Sequence, residues 1–353
     1  MPTSRPSTHF VDGVCSACLN FDKRQEINWR EREEVFLRIL EGLPENDSGY
    51  QVIVASSGGK DSHAQVIKML DLGIRPLIVT ASTCHLTEIG RKNIDNLKRF
   101  ATTIEFSPNL SVRAKLNRIG LRLVGDISLP EHMAIFSTPF QAAVAFGIST
   151  IIYGESPQFE YGGPPDSEQA TVMTRRWVYE HGGFLGMRPY DFVGIDGITA
   201  KDVKEYILPS KEKLEGITAY FLGQYYPWDS HKNAEIATHH GMMPRFPCLA
   251  NIWVHENLDN AQTGLHDYFG WLKYGYGRGC AQASIDIRQG RRSRDDAWKE
   301  VKSRDGLFPC EYMGVSHLEV LERIGVAETE FRTLCDKFTN HELHKARISA
   351  EGE

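Results

Sequence analysis

The feature that most constrains the fold of this chain is a glycine turn between an apolar run and a helical stretch. Residues 52–55 are Val, Ile, Val and Ala, a pattern typical of a buried strand, and helical spacing continues from Lys60 to Leu72. The connecting residues are Ser56-Ser57-Gly58-Gly59-Lys60-Asp61-Ser62. Glycines let a backbone approach phosphate oxygens, and the free N–H groups of a helix N-terminus attract anions. The sequence therefore predicts a phosphate-binding loop between a strand and a helix.

The side chains of this loop suit a nucleotide phosphate and its metal ion. Lys60 adds a positive charge, and Asp61 or a neighbouring hydroxyl can reach Mg²⁺. The common nucleotide-binding loop needs a glycine where this chain has Val54, and a Ser or Thr where it has Asp61. Gly58 and Gly59 alone would favour an ordinary strand–helix turn. The complete run S-G-G-K-D-S after an apolar strand favours a phosphate site instead.

Strand and helix patterns alternate after this loop. The predicted elements are strands at residues 75–81, 102–106 and 150–155 and helices at residues 87–100, 109–124 and 131–146. Such alternation predicts an α/β fold with a doubly wound, mostly parallel sheet that helices cover on both faces. Ligands of these sheets lie at the carboxyl ends of the strands, where Ser57, Thr80 and Glu155 occur. We therefore expect one crevice to contain all three.

Composition narrows the function classes. The formal net charge of -6 gives no general attraction to nucleic acid, although a local basic patch remains open. No apolar run approaches the length of a membrane span, and the first residues lack a secretory apolar region. We expect a cytoplasmic protein with no membrane span and no nucleic-acid partner. Seven cysteines, an odd number, favour thiols or metal ligands over a disulfide framework.

The run S-G-G-K-D-S resembles the signature of the PP-loop ATP pyrophosphatases. Most of the chain also resembles one branch of that group, the N-acetyl sugar amidotransferases of surface-polysaccharide (O-antigen, lipopolysaccharide) biosynthesis. The stretches that carry this resemblance are Gly13–Cys18, Gly125–Asp126, Pro130–His132, Ile152–Gln158, Glu160–Gly162, Tyr226–Asp229, Lys273–Arg278 and Ser284–Gly290.

The resemblance implies a ligase that converts an acetamido group into an acetamidino group on a nucleotide-linked N-acetyl sugar. The nucleotide carrier is expected to be UDP. ATP adenylates the amide oxygen, and ammonia from a separate glutaminase subunit then displaces AMP. The implied cofactors are ATP and Mg²⁺. The residues expected to contact ATP are Ser56, Ser57, Gly58, Gly59, Lys60, Asp61, Ser62 and Thr80.

We divide the chain into four parts on this basis. Residues 1–45 form an N-terminal C-x-x-C segment with a helix, and residues 46–165 form the PP-loop ATP-binding domain. Residues 166–300 lose the strand–helix alternation and are interpreted as a substrate-shaping insertion. Residues 301–353 are predicted to be a helical C-terminal segment.

Two residues join Lys60 and Asp61 as candidates for catalysis. Glu155 ends a predicted strand beside the loop and can contact Mg²⁺ or substrate, although a solvated carboxylate is the alternative. His132 begins a predicted helix and can bind substrate or steer ammonia, although a simple capping role is the alternative.

Arginines and one tyrosine are candidates for binding the nucleotide sugar. Planar guanidinium groups bind a diphosphate bidentately, and Arg175 and Arg288 lie near glycine- and aromatic-containing stretches. Tyr161 is predicted to contact substrate. We interpret Arg291, Arg292 and Arg294 as a solvated surface.

Cys15 and Cys18 have the two-residue spacing of a metal knuckle and can hold zinc, but one pair supplies only half of a tetrahedron. His9, a distant cysteine or an upstream pair can complete the site. Proteins of the resembling family carry another C-x-x-C just before the run M-P-T-S-R-P, with which this sequence starts. We interpret Cys248, Cys280 and Cys310 as buried structural cysteines, with a metal cluster of the three as the alternative.

Two other functions remain open from the sequence. A sulfurtransferase, which would thiolate RNA or a small molecule after the same adenylation step, is supported by the C-x-x-C pair. The acidic net charge and the lack of a cysteine near His132 count against it. The second open function is that of a non-catalytic nucleotide-binding protein, and the intact loop counts against this function.

Overall fold

The computed structural model describes residues 1–6, 8–164, 170–246 and 248–345, except for the side chains of residues 158 and 159. The described strands are β1 (Phe10–Val11), β2 (Val14–Cys15), β3 (Val52–Ser56), β4 (Pro76–Ala81), β5 (Thr103–Phe106), β6 (Thr150–Tyr153), β7 (Thr218–Phe221), β8 (Glu311–Tyr312) and β9 (Val315–Ser316). The described α-helices are α1 (Ser16–Gln25), α2 (Trp29–Glu41), α3 (Lys60–Asp71), α4 (Glu88–Leu97), α5 (Leu110–Val124), α6 (Leu129–Phe146), α7 (Pro157–Tyr161), α8 (Arg175–His181), α9 (Ser230–His239), α10 (Thr263–Tyr274), α11 (Arg278–Arg288), α12 (Arg294–Arg304), α13 (His317–Ile324) and α14 (Glu328–Phe338). The predicted boundary between residues 165 and 166 and the predicted helical residues 346–353 lie outside the described ranges.

A parallel sheet with the strand order β5-β4-β3-β6-β7 forms the centre of the described chain. Strand β3 pairs in parallel with β4 on one side and with β6 on the other. The chain moves from β3 to β4 and β5, and then returns past β3 to β6 and β7. The strand order therefore reverses between β3 and β6, which is where open α/β sheets bind their ligands. This topology confirms the predicted α/β fold with a doubly wound parallel sheet.

Successive residues of the central strands enter two different apolar cores. Ile53 and Leu77 pack into one core with residues of α5 and α6, whereas Val52 and Val54 pack into the other with residues of α2 and α3. All four side chains are fully buried. Because helices cover both faces of the sheet, Val52, Ile53 and Val54 of β3 are shielded from water on both sides. That is why β3 appears in the sequence as a continuous apolar run rather than as an alternating one.

The edge strand β7 comes from the region that the sequence assigns to substrate shaping. Its four residues, Thr-Ala-Tyr-Phe, pair in parallel with β6. On its other side the N–H of Met173 donates to the Ala219 carbonyl oxygen at 2.8 Å, so a non-helical segment covers this edge. Four residues without long flanking helices carry little periodicity, which explains why the alternation could not be read there.

The C-terminal region packs beside the carboxyl ends of the strands. Phe269 of α10, Leu321 of α13 and Phe331 of α14 form an apolar cluster with Leu121 of α5. The N–H of Thr87, at the start of α4, donates to the Asp259 carbonyl oxygen at 3.0 Å. These contacts hold residues 255–260 over the loop that follows β4, next to the glycine turn after β3.

Candidate active site

The glycine turn lies at the switch point of the sheet, between the end of β3 and the start of α3. Gly58 has a φ of +83°, and a Cβ atom there would lie 2.6 Å from Cγ1 of Ile94, so this position requires glycine. The N–H of Ser57 donates to Ser62 Oγ at 3.0 Å, and the N–H of Gly58 donates to Ser56 Oγ at 3.1 Å. These bonds fix the turn in its shape.

Helix α3 begins without a side-chain cap among the described residues. Its N-cap residue is Gly59, and no side chain accepts a hydrogen bond from the first turn. The N-terminus of a helix in this state presents backbone donors and a partial positive charge. The turn therefore offers an anion the backbone geometry that the sequence predicts.

A cavity of about 260 Å³ opens directly over this turn. Its walls come from the turn, from α4, from the end of β6 and from the C-terminal region. The lining residues are Ser57, Gly58, Gly59, Lys60, Asp61, Gly90, Asn93, Glu155, Tyr161, His255, Glu256, Asn257, Leu258, Asp259 and Arg278. We call this the polar cavity.

Lys60 is the central charge of the polar cavity, with a side chain only 4% exposed. Its Nζ donates to Asp61 Oδ2 at 2.6 Å and to Glu256 Oε1 at 2.9 Å. Burial lowers the pKa of Lys60, but Asp61 and Glu256 outweigh burial and hold the pKa above its ordinary value. The ammonium is therefore charged at any physiological pH. Asp61 is held further by Asn233, whose Nδ2 donates to Oδ1 at 2.8 Å.

The carboxylates around Lys60 differ in their proton affinity. Burial would raise the pKa of Glu256, but Lys60 and Arg278 outweigh it and lower the pKa to about 2. Burial and the neighbouring Asp61 raise the pKa of Glu155 to about 7. Glu155 thus lies in a site with more negative charge than Lys60 compensates. Asp61 and Glu155 consequently fit a hard divalent cation such as Mg²⁺, which prefers carboxylate oxygens and would keep Glu155 ionised.

A second cavity, of about 280 Å³, adjoins the polar one and shares Ser57, Asp61 and Glu155 with it. It lies between α6 and the carboxyl ends of β3, β4 and β6. Its apolar lining includes Val79, Ala81, Phe136, Pro139, Trp177 and Phe221. We call this the apolar cavity. A ligand with an apolar ring at one end and a charged group at the other would fit the pair of cavities.

A histidine with an unpaired nitrogen lies in the wall of the polar cavity. His255 is 7% exposed, and its Nε2 makes no hydrogen bond of standard geometry to any described residue. Burial and the nearby Lys60 lower the pKa of His255 to about 4, so the ring is neutral at pH 7. His231 and Trp253 contact its ring, and both hydrogen-bond to Asp286, at 2.8 and 2.9 Å. This network fixes the orientation of the ring.

The predicted site residues fall into two groups. The turn residues 57–61, Glu155 and Tyr161 all line the polar cavity. Ser62 lines the apolar cavity with Ser56. Thr80 lines neither of the two: it is buried in β4, and its neighbours Val79 and Ala81 face the apolar cavity while Thr80 points to the other face of the sheet.

The remaining predicted residues lie elsewhere. Arg175 donates to the Pro209 carbonyl oxygen and lines a separate cavity near the start of β7. Arg288 donates to the Glu160 carbonyl oxygen at 3.0 Å and lines another cavity with Cys15 and Cys18. His132 lies at the first turn of α6, outside the lining of both active-site cavities. Their roles stay predictions.

The cysteines group differently from the sequence interpretation. Cys280 shares the cavity of about 640 Å³ with Cys15 and Cys18, whereas Cys248 and Cys310 do not line it. Within the described parts of the chain, no three potential ligands that include a cysteine come within 4.8 Å of one another. Cys248, Cys280 and Cys310 form no such group within the described residues.

Sequence reasoning missed the C-terminal half of the polar cavity. Glu256, His255 and Arg278 line it, and Glu256 is separated from Lys60 by 196 residues. In the sequence, Arg278 belongs to the run Lys273–Arg278, which carries part of the family resemblance. The one local signal was the polar sequence His255-Glu256-Asn257 in a region without periodicity.

Comparison with known proteins bears on this C-terminal part. The family model described as the C-terminal domain of WbpG-like LPS biosynthesis proteins matches residues 240–350. The match includes His255, Glu256 and Arg278. No curated protein matches the chain. The family match supports a protein of lipopolysaccharide biosynthesis and indicates a biosynthetic enzyme. Every helix in the described ranges is too short or too polar to cross a membrane.

Proposed function

We propose that the chain is an ATP-dependent amidotransferase that acts on the N-acetyl group of a nucleotide-linked sugar. The amide oxygen attacks the α-phosphorus of ATP and pyrophosphate leaves. Ammonia then attacks the activated carbon, the bond to the AMP oxygen breaks, and an acetamidino group results. The observation that carries the proposal is a glycine turn at the switch point, shared by a polar and an apolar cavity.

The two cavities suit the two ends of ATP. The adenine ring would lie against the apolar lining from α6, and the phosphates would lie at the turn. Lys60 and the backbone N–H groups of α3 would then stabilise the negative charge that develops on the leaving pyrophosphate. Such preplaced donors are the main source of rate enhancement in phosphoryl-transfer sites, so no covalent protein intermediate is needed.

Asp61 and Glu155 would hold Mg²⁺, since they are the carboxylates shared by both cavities. The ion would supply charge neutralisation between the phosphates. Glu256 does not belong to this pair, because it lines only the polar cavity. It pairs with Lys60 and accepts from Gln282 Nε2 at 2.8 Å. Its role is to fix the lysine.

His255 would accept the proton that the attacking nitrogen must lose. Its ring is neutral at pH 7, Nε2 has no hydrogen bond of standard geometry to a described residue, and His231 and Trp253 hold the ring in place.

The described residues of the two active-site cavities give the sulfurtransferase alternative no support. No cysteine of the described residues lines either active-site cavity. Cys84 follows β4 and is partly buried, and burial raises the pKa of its thiol well above the ordinary value. A persulfide carrier needs an accessible, low-pKa thiol.

The proposal is tested by AMP formation from ATP, ammonium and UDP-linked N-acetyl sugars. We expect AMP release that depends on the sugar, and its loss in Lys60→Ala. The matched control is Lys92→Ala, because Lys92 is 49% exposed and contacts only the exposed Glu88 among its described ion-pair partners. AMP release from Lys60→Ala at the wild-type rate would contradict the assigned role of the loop.

A further inference from the structure

Three potential metal ligands converge outside the two active-site cavities. Asp126 lies in the link between α5 and α6, His132 in the first turn of α6, and His266 in α10. One ligand atom from each lies within 4.8 Å of the other two. Nδ1 of His266 is 2.8 Å from Asp126 Oδ1, and Nδ1 of His132 is 3.5 Å from Asp126 Oδ2.

The fold fixes the carboxylate of Asp126 in this position. Gly125 ends α5 with a φ of +63°, and a Cβ atom there would lie 2.7 Å from Cγ of Phe338, so the turn before Asp126 requires glycine. Asp126 Oδ1 also accepts the N–H of Ser128 at 2.8 Å. The side chain of Asp126 is only 4% exposed. A carboxylate buried to this extent needs a compensating positive charge.

One ring nitrogen of His132 lacks a hydrogen-bond partner among the described residues. Its Nδ1 is buried and makes no hydrogen bond of standard geometry to any described residue. The 3.5 Å to Asp126 Oδ2 is too long for a strong hydrogen bond. It is close to the separation of about 3.3 Å between two ligand atoms that share one tetrahedral zinc ion at ordinary bond lengths.

We propose that Asp126, His132 and His266 bind one zinc ion. Two imidazoles and one carboxylate are a donor set that zinc takes in open sites, with the fourth position left to water or substrate. The side chains of His132 and His266 are each 26% exposed, so solvent reaches both imidazoles. The buried negative charge of Asp126 is then compensated by the ion.

This site is distinct from the proposed ATP site. None of the three residues lines the polar or the apolar cavity, although Ile135 and Phe136, one turn after His132, line the apolar one. The proposal does not depend on the amidotransferase reaction. It gives His132 a metal-binding role instead of contact with the substrate.

The test uses the full chain with Cys15→Ser and Cys18→Ser, which removes the other candidate zinc ligands. After treatment with a chelator, this protein is titrated with zinc and, separately, with Co²⁺. We expect one ion per chain, and a visible cobalt spectrum without the near-ultraviolet bands of thiolate ligation. His132→Ala and His266→Ala should each weaken binding at least about tenfold. His239→Ala is the control, because that histidine is exposed and lies on α9.

The cobalt spectrum is measured on a chain with all three ligands intact, so the test does not depend on the folding of the histidine variants. Absence of any ion uptake by the double-serine chain would overturn the proposal and leave a simple carboxylate–histidine ion pair. Binding that persists unchanged in both histidine variants would overturn it as well. Neither result would affect AMP formation, which tests the proposed function separately.

Discussion

Replacing Glu155 with glutamine should stabilise the ligand-free protein at high pH and weaken its response to Mg²⁺. Glu155 has a pKa of about 7 in the folded chain, against an ordinary value of 4.5. Folding therefore costs free energy when this group must ionise. Because a pKa shift of one unit corresponds to about 1.4 kcal/mol, ionising Glu155 in the folded chain lowers the free energy of unfolding by about 3 kcal/mol above pH 7.

The sign of the pH dependence follows from proton binding. Between pH 4.5 and about 7 the folded chain keeps a proton on Glu155 that the unfolded chain has lost. The free energy of unfolding must then fall as the pH rises through this range. Relative to Glu155→Gln, the wild-type chain should lose about 2 kcal/mol of stability between pH 5 and pH 8.

Urea denaturation at pH 5 and pH 8, for both chains, measures this difference. The exposed Glu235→Gln variant is the control for the change of net charge. Adding Mg²⁺ at pH 8 should stabilise the wild-type chain and have little effect on Glu155→Gln. A difference between the two chains that stays constant with pH would refute the raised pKa and, with it, the cation-binding role of Glu155.

Three further outcomes follow from the site. Asp61→Asn should abolish AMP formation while preserving the fold, because Asp61 both pairs with Lys60 and belongs to the proposed Mg²⁺ site. The control is Asp95→Asn, at an exposed residue. Unchanged AMP release from Asp61→Asn would count against the assignment. Gly58→Ala should destabilise the chain by about 1–3 kcal/mol in thermal or urea unfolding, since its φ is positive and Ile94 blocks the Cβ. Gly59→Ala should cost much less, because its φ is -80° and the nearest atom is 3.4 Å away; equal losses would refute the steric argument. The purified chain should turn over with ammonium but not with glutamine alone, because Cys84, in the run Thr83-Cys84-His85, lacks the glycine-flanked strand–nucleophile–helix elbow of such enzymes. Efficient use of glutamine would show an ammonia-producing site within this chain.

Local sequence was sufficient to predict four of the five strands of the central sheet, and the turn. The apolar run of β3 and the glycines after it are encoded within a few residues, because strand burial and the positive φ of Gly58 act locally. Glu155 could be placed beside the turn because parallel strands share one carboxyl edge.

The rest of the cavity depends on tertiary contacts that sequence spacing does not encode. Glu256 reaches Lys60 only because the C-terminal region packs over the loop after β4. For Thr80, the sequence correctly predicts a position near the end of a strand. The alternation of side chains along that strand nevertheless directs Thr80 away from the apolar cavity. Arg175 was predicted to bind substrate because its guanidinium lies near glycine- and aromatic-containing stretches. Neither property specifies which end of a strand a residue approaches.

The most direct test of the central claim is the mass of the sugar product formed from ATP, isotopically labelled ammonium and a UDP-linked N-acetyl sugar. With unlabelled ammonium the product should weigh about one mass unit less than the substrate, because an N–H group replaces the amide oxygen. With the labelled salt it should carry the isotope, and AMP should form in equal amount. A product about sixteen mass units heavier, formed when a sulfide donor is supplied, would show sulfur in place of oxygen and contradict the account. An unchanged sugar, with every candidate tested and ATP intact, would contradict it equally.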